Sequence, residues 1–243
     1  MQKGFHEPVE KPRRFYKTVE VVEVEGGFGV RLDQRNLRTP KGAPLVLPTR
    51  AAAGQVAADW DAQGEHIELA VMHANRLANT AIESIPQARA ATADQVASFA
   101  GTDVLCYYAE EPASLVARQR QRWEPVLQRA ERELGVSFVR AAGIVHRRQP
   151  EATLAEVKAL ALGLDDFRLA GLAFGTALFG SAVLAIAVQR GWLTGPEAFE
   201  LSRVDESWQE EKWGVDAEAA ERAERLRGEA QMLERWFRNL DAA

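Results

Sequence analysis

The sequence predicts an α+β fold. A small N-terminal antiparallel β-rich domain with a covering helix (residues 1–71) precedes an all-α domain (residues 72–243) built round a buried central helix. Three observations carry this. Between residues 15 and 47, apolar and polar side chains alternate between Gly, Pro and Asn turn signals, the pattern of short half-buried strands. From Met72 onward, apolar residues recur at helical spacing. Residues 169–188, LAGLAFGTALFGSAVLAIAV, contain no charge at all. A helix apolar all round belongs at the centre of a bundle.

The strands come first. Residues 1–13 carry Pro8 and Pro12 among charges and read as a mobile arm. Phe15, Val19, Val21, Val22 and Val24 form a β-rich run that stops at Gly26-Gly27, a pair suited to a hairpin turn. Phe28, Val30 and Leu32 alternate with Gly29, Arg31 and Asp33 as a half-buried second strand. Residues 33–36 are turn chemistry, 37–39 a third strand ended by Pro40, and 45–47 a fourth ended by Pro48. Together they predict a four-stranded meander with one apolar face to cover. Thr49 caps the covering helix over 51–62, which sets Val56 and Trp60 on one side and stops before Gly64.

The helices follow. Leu77, Ala81 and Ile85 line one face before Pro86 breaks the run, and a second helix spans 87–99. Residues 104–108 fit either a short helix or a buried strand. Pro112 opens a helix to Gly135, and Pro125 inside it predicts a kink or interruption near Gln121. Thr153 and Glu156 have capping-box spacing for a helix through Leu162. Gly191 ends the central helix. Thr194 and Glu197 repeat the capping box for a helix that carries Phe199, Val204 and Trp208 to Gly214. A last helix over 217–240 shows Leu226, Ala230, Leu233 and Phe237 at spacings of four, three and four.

Residues 169–188 also admit a second reading, because about 20 apolar residues span a bilayer. Against it stand the Ala- and Gly-rich composition, with Gly171, Gly175 and Gly180 at near-helical spacing, and the amphipathic helices that need an apolar partner. Stable membrane insertion is not expected.

Composition narrows the functions. At 243 residues the chain is comfortable for two cores, and 47 % apolar with 27 % charged residues excludes wholesale disorder. The net charge of −5 recommends no nucleic-acid partner. Its distribution is uneven: residues 1–50 hold ten Lys/Arg against six Asp/Glu, net +4, and residues 194–243 seven against thirteen, net −6. A single Cys106 excludes an internal disulfide and suggests a reducing compartment. The opening MQKGFHEPVEKPRRF lacks the apolar run of a secretory signal and the acid-poor character of a transit peptide, so a cytoplasmic location is expected.

Catalytic motifs are sparse. There is no GxxxxGK[ST] loop, and Gly26-Gly27-Phe28-Gly29 precedes a strand, so no phosphate cradle and no cofactor are expected. His6, His66, His73 and His146 are scattered without a second ligand at helical spacing, so no metal is expected. An enzyme with an interdomain cleft using Asp103, Cys106 or His146 is the rival reading. The run Arg118, Arg120, Arg122 beside Trp123 is interleaved with Gln and reads as a solvated helix face. What does stand out is residues 202–214, where two Trp five residues apart sit among carboxylates. Aromatic packing at a helix end explains it, and so does an interaction surface, since Trp in a charged rim is typical of one.

Several phrases then match a known family. Arg14-Phe15-Tyr16-Lys17, residues 32–40 (LDQRNLRTP), Asp59-Trp60-Asp61-Ala62-Gln63, residues 76–83 (RLANTAIE), Asp103-Val104-Leu105-Cys106-Tyr107, Trp123-Glu124-Pro125 and Leu201-Ser202-Arg203 occur in order. Asp205-Glu206, Trp208-Gln209 and Lys212-Trp213-Gly214 follow. Over nearly its whole length the chain resembles the ATP synthase assembly chaperones that bind the free α subunit of the catalytic head. The resemblance implies a β-rich domain before a helical one, a chaperone and not an enzyme, and the α subunit of F-type ATP synthase as protein partner. Such proteins occur in mitochondria and related bacteria, and the bacterial case suits this chain. With the acidic–aromatic cluster, the resemblance points to Asp205, Glu206, Gln209, Glu211 and Trp213 as partner-binding residues and to Trp60 as the residue fixing the domain junction. The chain departs from the family at Met72-His73-Ala74-Asn75, where a Met-Pro step is expected, and at Glu210, where relatives carry an apolar residue.

Overall fold

The computed structural model describes residues 11–143 and 145–242; most of the arm expected over 1–13 lies outside them. The chain opens with a hairpin of β1 (Val19–Val24) and β2 (Gly27–Leu32), in register with Val21 opposite Val30. β3 (Arg35–Asn36) and β4 (Val46–Leu47) both pair antiparallel with β2, one near each of its ends. The four strands are therefore not a simple meander. The turn after β2 is also tighter than expected: Asp33 takes φ +52, and its Oδ1 accepts the backbone N–H groups of Lys17 at 3.0 Å and Thr18 at 2.9 Å. β3 then starts at Arg35, inside the stretch read as turn.

α1 (Arg50–Asp61) covers the sheet, and Ala52, Ala53, Val56 and Trp60 form its buried face. Thr49 caps it as expected, Oγ1 accepting from the Ala52 N–H at 3.0 Å. The same hydroxyl donates to the Asn239 carbonyl at 2.6 Å, so one residue starts α1 and ties it to the far end of the chain.

α2 (His73–Glu83) and α3 (Ile85–Gly101) follow, with Pro86 in the first turn of α3 and a kink at Ala88. His73 is the first helical residue of α2, the position where a proline fits best. Residues 104–108 split between both readings: a single 3₁₀ turn, then β5 (Tyr107–Tyr108), parallel to β6 (Ala141–Ala142).

α4 (Ala113–Leu134) runs unbroken through Pro125, contrary to the expected interruption. The carbonyl that Pro125 leaves unbonded belongs to Gln121, an exposed residue, where it is open to solvent and not stranded in the core. α5 (Glu151–Gly163) begins two residues before the expected capping box. Thr153 does not cap it: its hydroxyl donates to the Ser137 carbonyl at 2.7 Å, a tertiary bond that outcompetes the local one.

The apolar run is buried but is not one helix. α6 (Asp166–Phe179) ends at Gly180, whose φ of +61 makes a left-handed cap, and α7 (Ala182–Gln189) restarts on Ser181, whose Oγ accepts from the Leu184 N–H. At 1.5 Å per residue the two helices are only about 21 and 12 Å long, short of a hydrocarbon core of about 30 Å. Among the described residues no helix is long and apolar enough to cross a membrane. Every residue of α7 from Ala182 to Val188 is buried. A Cβ on Gly175 would lie 2.9 Å from Leu233, so the glycine side of α6 is where α10 (Ala217–Leu240) crosses it.

The helix expected over 194–214 is likewise two, α8 (Gly195–Ser202) and α9 (Val204–Trp213), parted at Arg203. The Thr194–Glu197 capping box is present in full. A continuous buried cluster runs from Val30 and Leu47 through Trp60, Met72 and Leu77 to Leu172, Ile186, Leu233 and Trp236.

Candidate docking face on the helical region

Arg203, with φ −119 and ψ 27, bends the chain so that α9 leaves α8 at an angle. Val204 and Trp208, one turn apart, are buried and seat α9 against α4. At about 100° per residue, the five residues singled out in the sequence fall on two sides of that seam. Asp205 and Glu211 turn back to α4. Glu206, Gln209 and Trp213 are exposed on the outward side, Trp213 to 74 %.

The two inward carboxylates are held differently. Asp205 Oδ1 accepts from Gln119 Nε2 at 2.7 Å. Gln119 is fully buried and uses its own oxygen to accept the Ala109 N–H at 2.8 Å. Glu211 takes both ends of the Arg118 guanidinium, at 2.7 and 2.6 Å. That bidentate pair holds the Glu211 carboxyl below the usual range. Glu210, the departure from the family, is occupied by Arg203 at 2.7 Å. Asp205 and Glu206 also sit in the first turn of α9, at the positive end of its dipole.

Trp208 and Trp213 resolve the double-Trp puzzle. Trp208 packs inward, and Trp213 meets it edge-on with ring centroids 5.7 Å apart. The exposed apolar tip continues with Val215, 61 % exposed. Glu206 also borders a groove of about 480 Å³ between the end of α6, the α8–α9 bend and α10, with Leu178, Phe179, Phe199 and Leu226 in its wall. An aromatic tip with carboxylates on a braced helix is equipped to bind a surface that is partly apolar and partly basic.

Likeness to solved structures decides the family. The crystal structure of Atp12 from Paracoccus denitrificans is 37 % identical with a TM-score of 0.86, covering 94 % of this chain and 98 % of that one. The chain belongs to the ATP12 chaperone family. The family's model, described as ATP12 chaperone protein, matches residues 13–131. A candidate chaperone from Agrobacterium tumefaciens is 40 % identical with a TM-score of 0.89, covering 95 % of this chain and 87 % of that one. The mitochondrial protein atp12 of Schizosaccharomyces pombe is 24 % identical over 228 residues, 88 % of this chain and 78 % of that protein.

In this ATP12-family chain Trp60, on α1, joins the segment before β1 to α2. Its Nε1 donates to Asn75 Oδ1 at 3.0 Å, its carbonyl accepts from the Tyr16 hydroxyl at 2.6 Å, and its ring meets Tyr16 edge-on. Beside it the Asp59 carboxylate accepts the Asn75 N–H at 2.9 Å, and burial pushes that carboxyl up. Trp60→Arg forfeits these contacts and places a charge against the core. It is expected to cost about 2–3 kcal/mol, read as a lower thermal midpoint.

The residues of the rival enzyme reading do not converge. Asp103 and Cys106 are fully buried, and burial pushes the Cys106 thiol well up, away from the thiolate form a nucleophile needs. His146 is exposed, its Nδ1 2.7 Å from the Tyr107 hydroxyl. Among the described residues no three of His, Cys, Asp and Glu lie together as a metal site. Sequence reasoning missed Arg118, Gln119 and Arg203, the braces of α9. Arg118 lies 93 residues from Glu211, and no local pattern announces such a pair.

Proposed function

We propose that this chain is an assembly chaperone for F-type ATP synthase that holds the unassembled α subunit of the catalytic head until the β subunit takes over. The observation that carries this reading is the braced acidic–aromatic face of α9, carrying Asp205, Glu206, Gln209, Glu211 and Trp213, on a chain of the ATP12 chaperone family. An unassembled α subunit exposes apolar surface meant for its neighbours, and exposed patches of that kind aggregate. A cover that must later be released has to be moderate in area and partly polar. The α9 face fits, with an apolar tip and a charged surround. The role needs no turnover and no cofactor. Residues 1–71 and 72–243 act as two parts, the helical one carrying the docking face and Trp60 fixing their junction. The bacterial relatives support a cytoplasmic setting.

The test is capture of purified α subunit by the unaltered chain and by Glu211→Lys. The variant puts a lysine beside Arg118 but breaks only an exposed pair, so folding is expected to survive. Capture is expected to fall by roughly tenfold or more, because the introduced lysine repels a basic counterpart that the carboxylate attracts. Undiminished capture by folded alanine variants at all five positions would remove the face from the interface.

A further inference from the structure

A second pocket is bordered by Trp60 where the sheet side, α1 and α2 meet. About 570 Å³ in volume, it is lined by Arg38 and Pro40 from the sheet side, Trp60 from α1, Leu69 and Ala70 from the linking turn, and Asn75, Arg76 and Asn79 from α2. Three stretches distant in sequence, at 38–40, 60 and 75–79, therefore meet in one concave place. Its charge is of one sign. Arg38 and Arg76 are exposed, each donates one Nη1 bond to a backbone carbonyl (Gly42 and Ala70), and among the described residues neither meets a carboxylate. Among the described residues no acidic side chain lines the pocket. Leu69 in its wall and Val71, two residues on in the same turn, are 53 % and 56 % exposed, a neighbouring apolar pair on a chain that buries most of its large side chains. Asn79 adds a side-chain oxygen that is buried and has no hydrogen-bond partner.

We propose that this junction pocket is a second client contact, taking an acidic extended segment of the client between Arg38 and Arg76, with its apolar neighbours on Leu69 and Val71. The inference rests on the reading that a protein client, the α subunit, docks on this chain. Charge complementarity selects the occupant. Two guanidinium groups with spare donors and no counter-ion match a carboxylate, which they can bind with charge-assisted, directional bonds. An extended segment also brings backbone N–H donors, the group that Asn79 lacks. The two contacts are opposite in sign: the last fifty residues carry net −6 and the first fifty net +4. A client gripped by both is oriented as well as held, since reversing it would set like charges together.

The experiment compares capture of purified α subunit by four proteins: the unaltered chain, Glu211→Lys, Arg38→Glu/Arg76→Glu and Leu69→Ser/Val71→Ser. All the altered pocket residues are exposed, so each variant is expected to melt like the unaltered chain. The expected result is capture lowered roughly tenfold by the double Arg change and lowered also by the apolar pair. Capture equal to the unaltered chain in both pocket variants overturns the second contact and leaves the α9 reading standing. No capture by the unaltered chain sinks both. Should the unaltered chain prove a dimer that Arg38→Glu/Arg76→Glu disperses, the occupant is a second copy and the proposal is wrong.

Discussion

Gly195→Ala is expected to destabilise this protein by more than about 3 kcal/mol, beyond the usual cost of overpacking a core. Gly195 is the first residue of α8, and a Cβ there would lie 1.9 Å from the Ala230 carbonyl oxygen and 2.5 Å from its carbon. Those are backbone atoms in the middle of α10, so no rotamer change relieves the clash and the two helices must part. Gly195 N–H also donates to Glu234 at 3.0 Å, a second tie across the same crossing that parting would stretch. For a chain of this size the loss corresponds to a midpoint lower by roughly 6–12 °C. Because α8 leads into α9 through Arg203, displacement of α8 also moves the proposed docking face, and capture of the proposed client is expected to fall with stability. Gly228→Ala is the control. Gly228 lies inside α10, exposed, with nothing within 4 Å of a Cβ, so alanine there is expected to raise stability by about 0.4–1 kcal/mol. Equal effects from the two substitutions would show that the α8–α10 crossing is not as close as described.

Elements whose signals are local were legible in the sequence. The Thr194–Glu197 box, the Thr49 cap and the heptad-like spacing of α10 need only a few neighbouring residues, and each is where the pattern put it. The failures share one cause, a local signal overruled or supplied by something distant. Thr153 had the spacing of a cap but bonds Ser137 instead. Pro125 had the chemistry of a break but frees a carbonyl on the wet side of α4. The division of residues 169–188 was written locally, Gly180 then Ser181, but uniform apolarity hid it: a buried run shows no periodicity to interrupt. The candidate face was half legible. Its acidic and aromatic residues are adjacent in sequence and stood out. Its braces, Arg118 and Gln119, come from α4, where Arg118 reads as one more solvated arginine.

Asp103 is the side chain whose removal is expected to do the most damage away from the proposed docking face. It is fully buried, and it joins two structures 80 residues apart. Oδ1 accepts the Leu105 N–H at 3.1 Å, while Oδ2 accepts the Ser181 hydroxyl at 2.9 Å and the Val183 N–H at 3.0 Å. The carboxyl thus closes the 3₁₀ turn before β5 and caps α7 at the point where the apolar run breaks. Asp103→Ala leaves the Leu105 and Val183 amides without their acceptor in a dry site, at about 1–3 kcal/mol each, so a loss of about 3–5 kcal/mol is expected. Burial pushes the carboxyl from its ordinary 3.8 up to about 6, against the opposing pull of those hydrogen bonds. The native state therefore holds this proton more tightly than the unfolded chain. The resulting stability is fully present below about pH 4 and is lost as pH rises through about 6. At 1.36 kcal/mol per unit the loss comes to about 3 kcal/mol between those limits. Asp103→Asn keeps the shape and cannot ionise, but its amide turns a donor toward the Leu105 or the Val183 N–H, so it is the less stable protein at low pH. Urea unfolding of both proteins at several pH values from 4 to 7.5 isolates the effect, since every other carboxylate is common to the pair. The advantage of the unaltered chain over Asp103→Asn is expected to shrink by about 3 kcal/mol across that range. A difference independent of pH would mean that Asp103 titrates like an exposed carboxylate, and that its seat against α7 is looser than these distances make it.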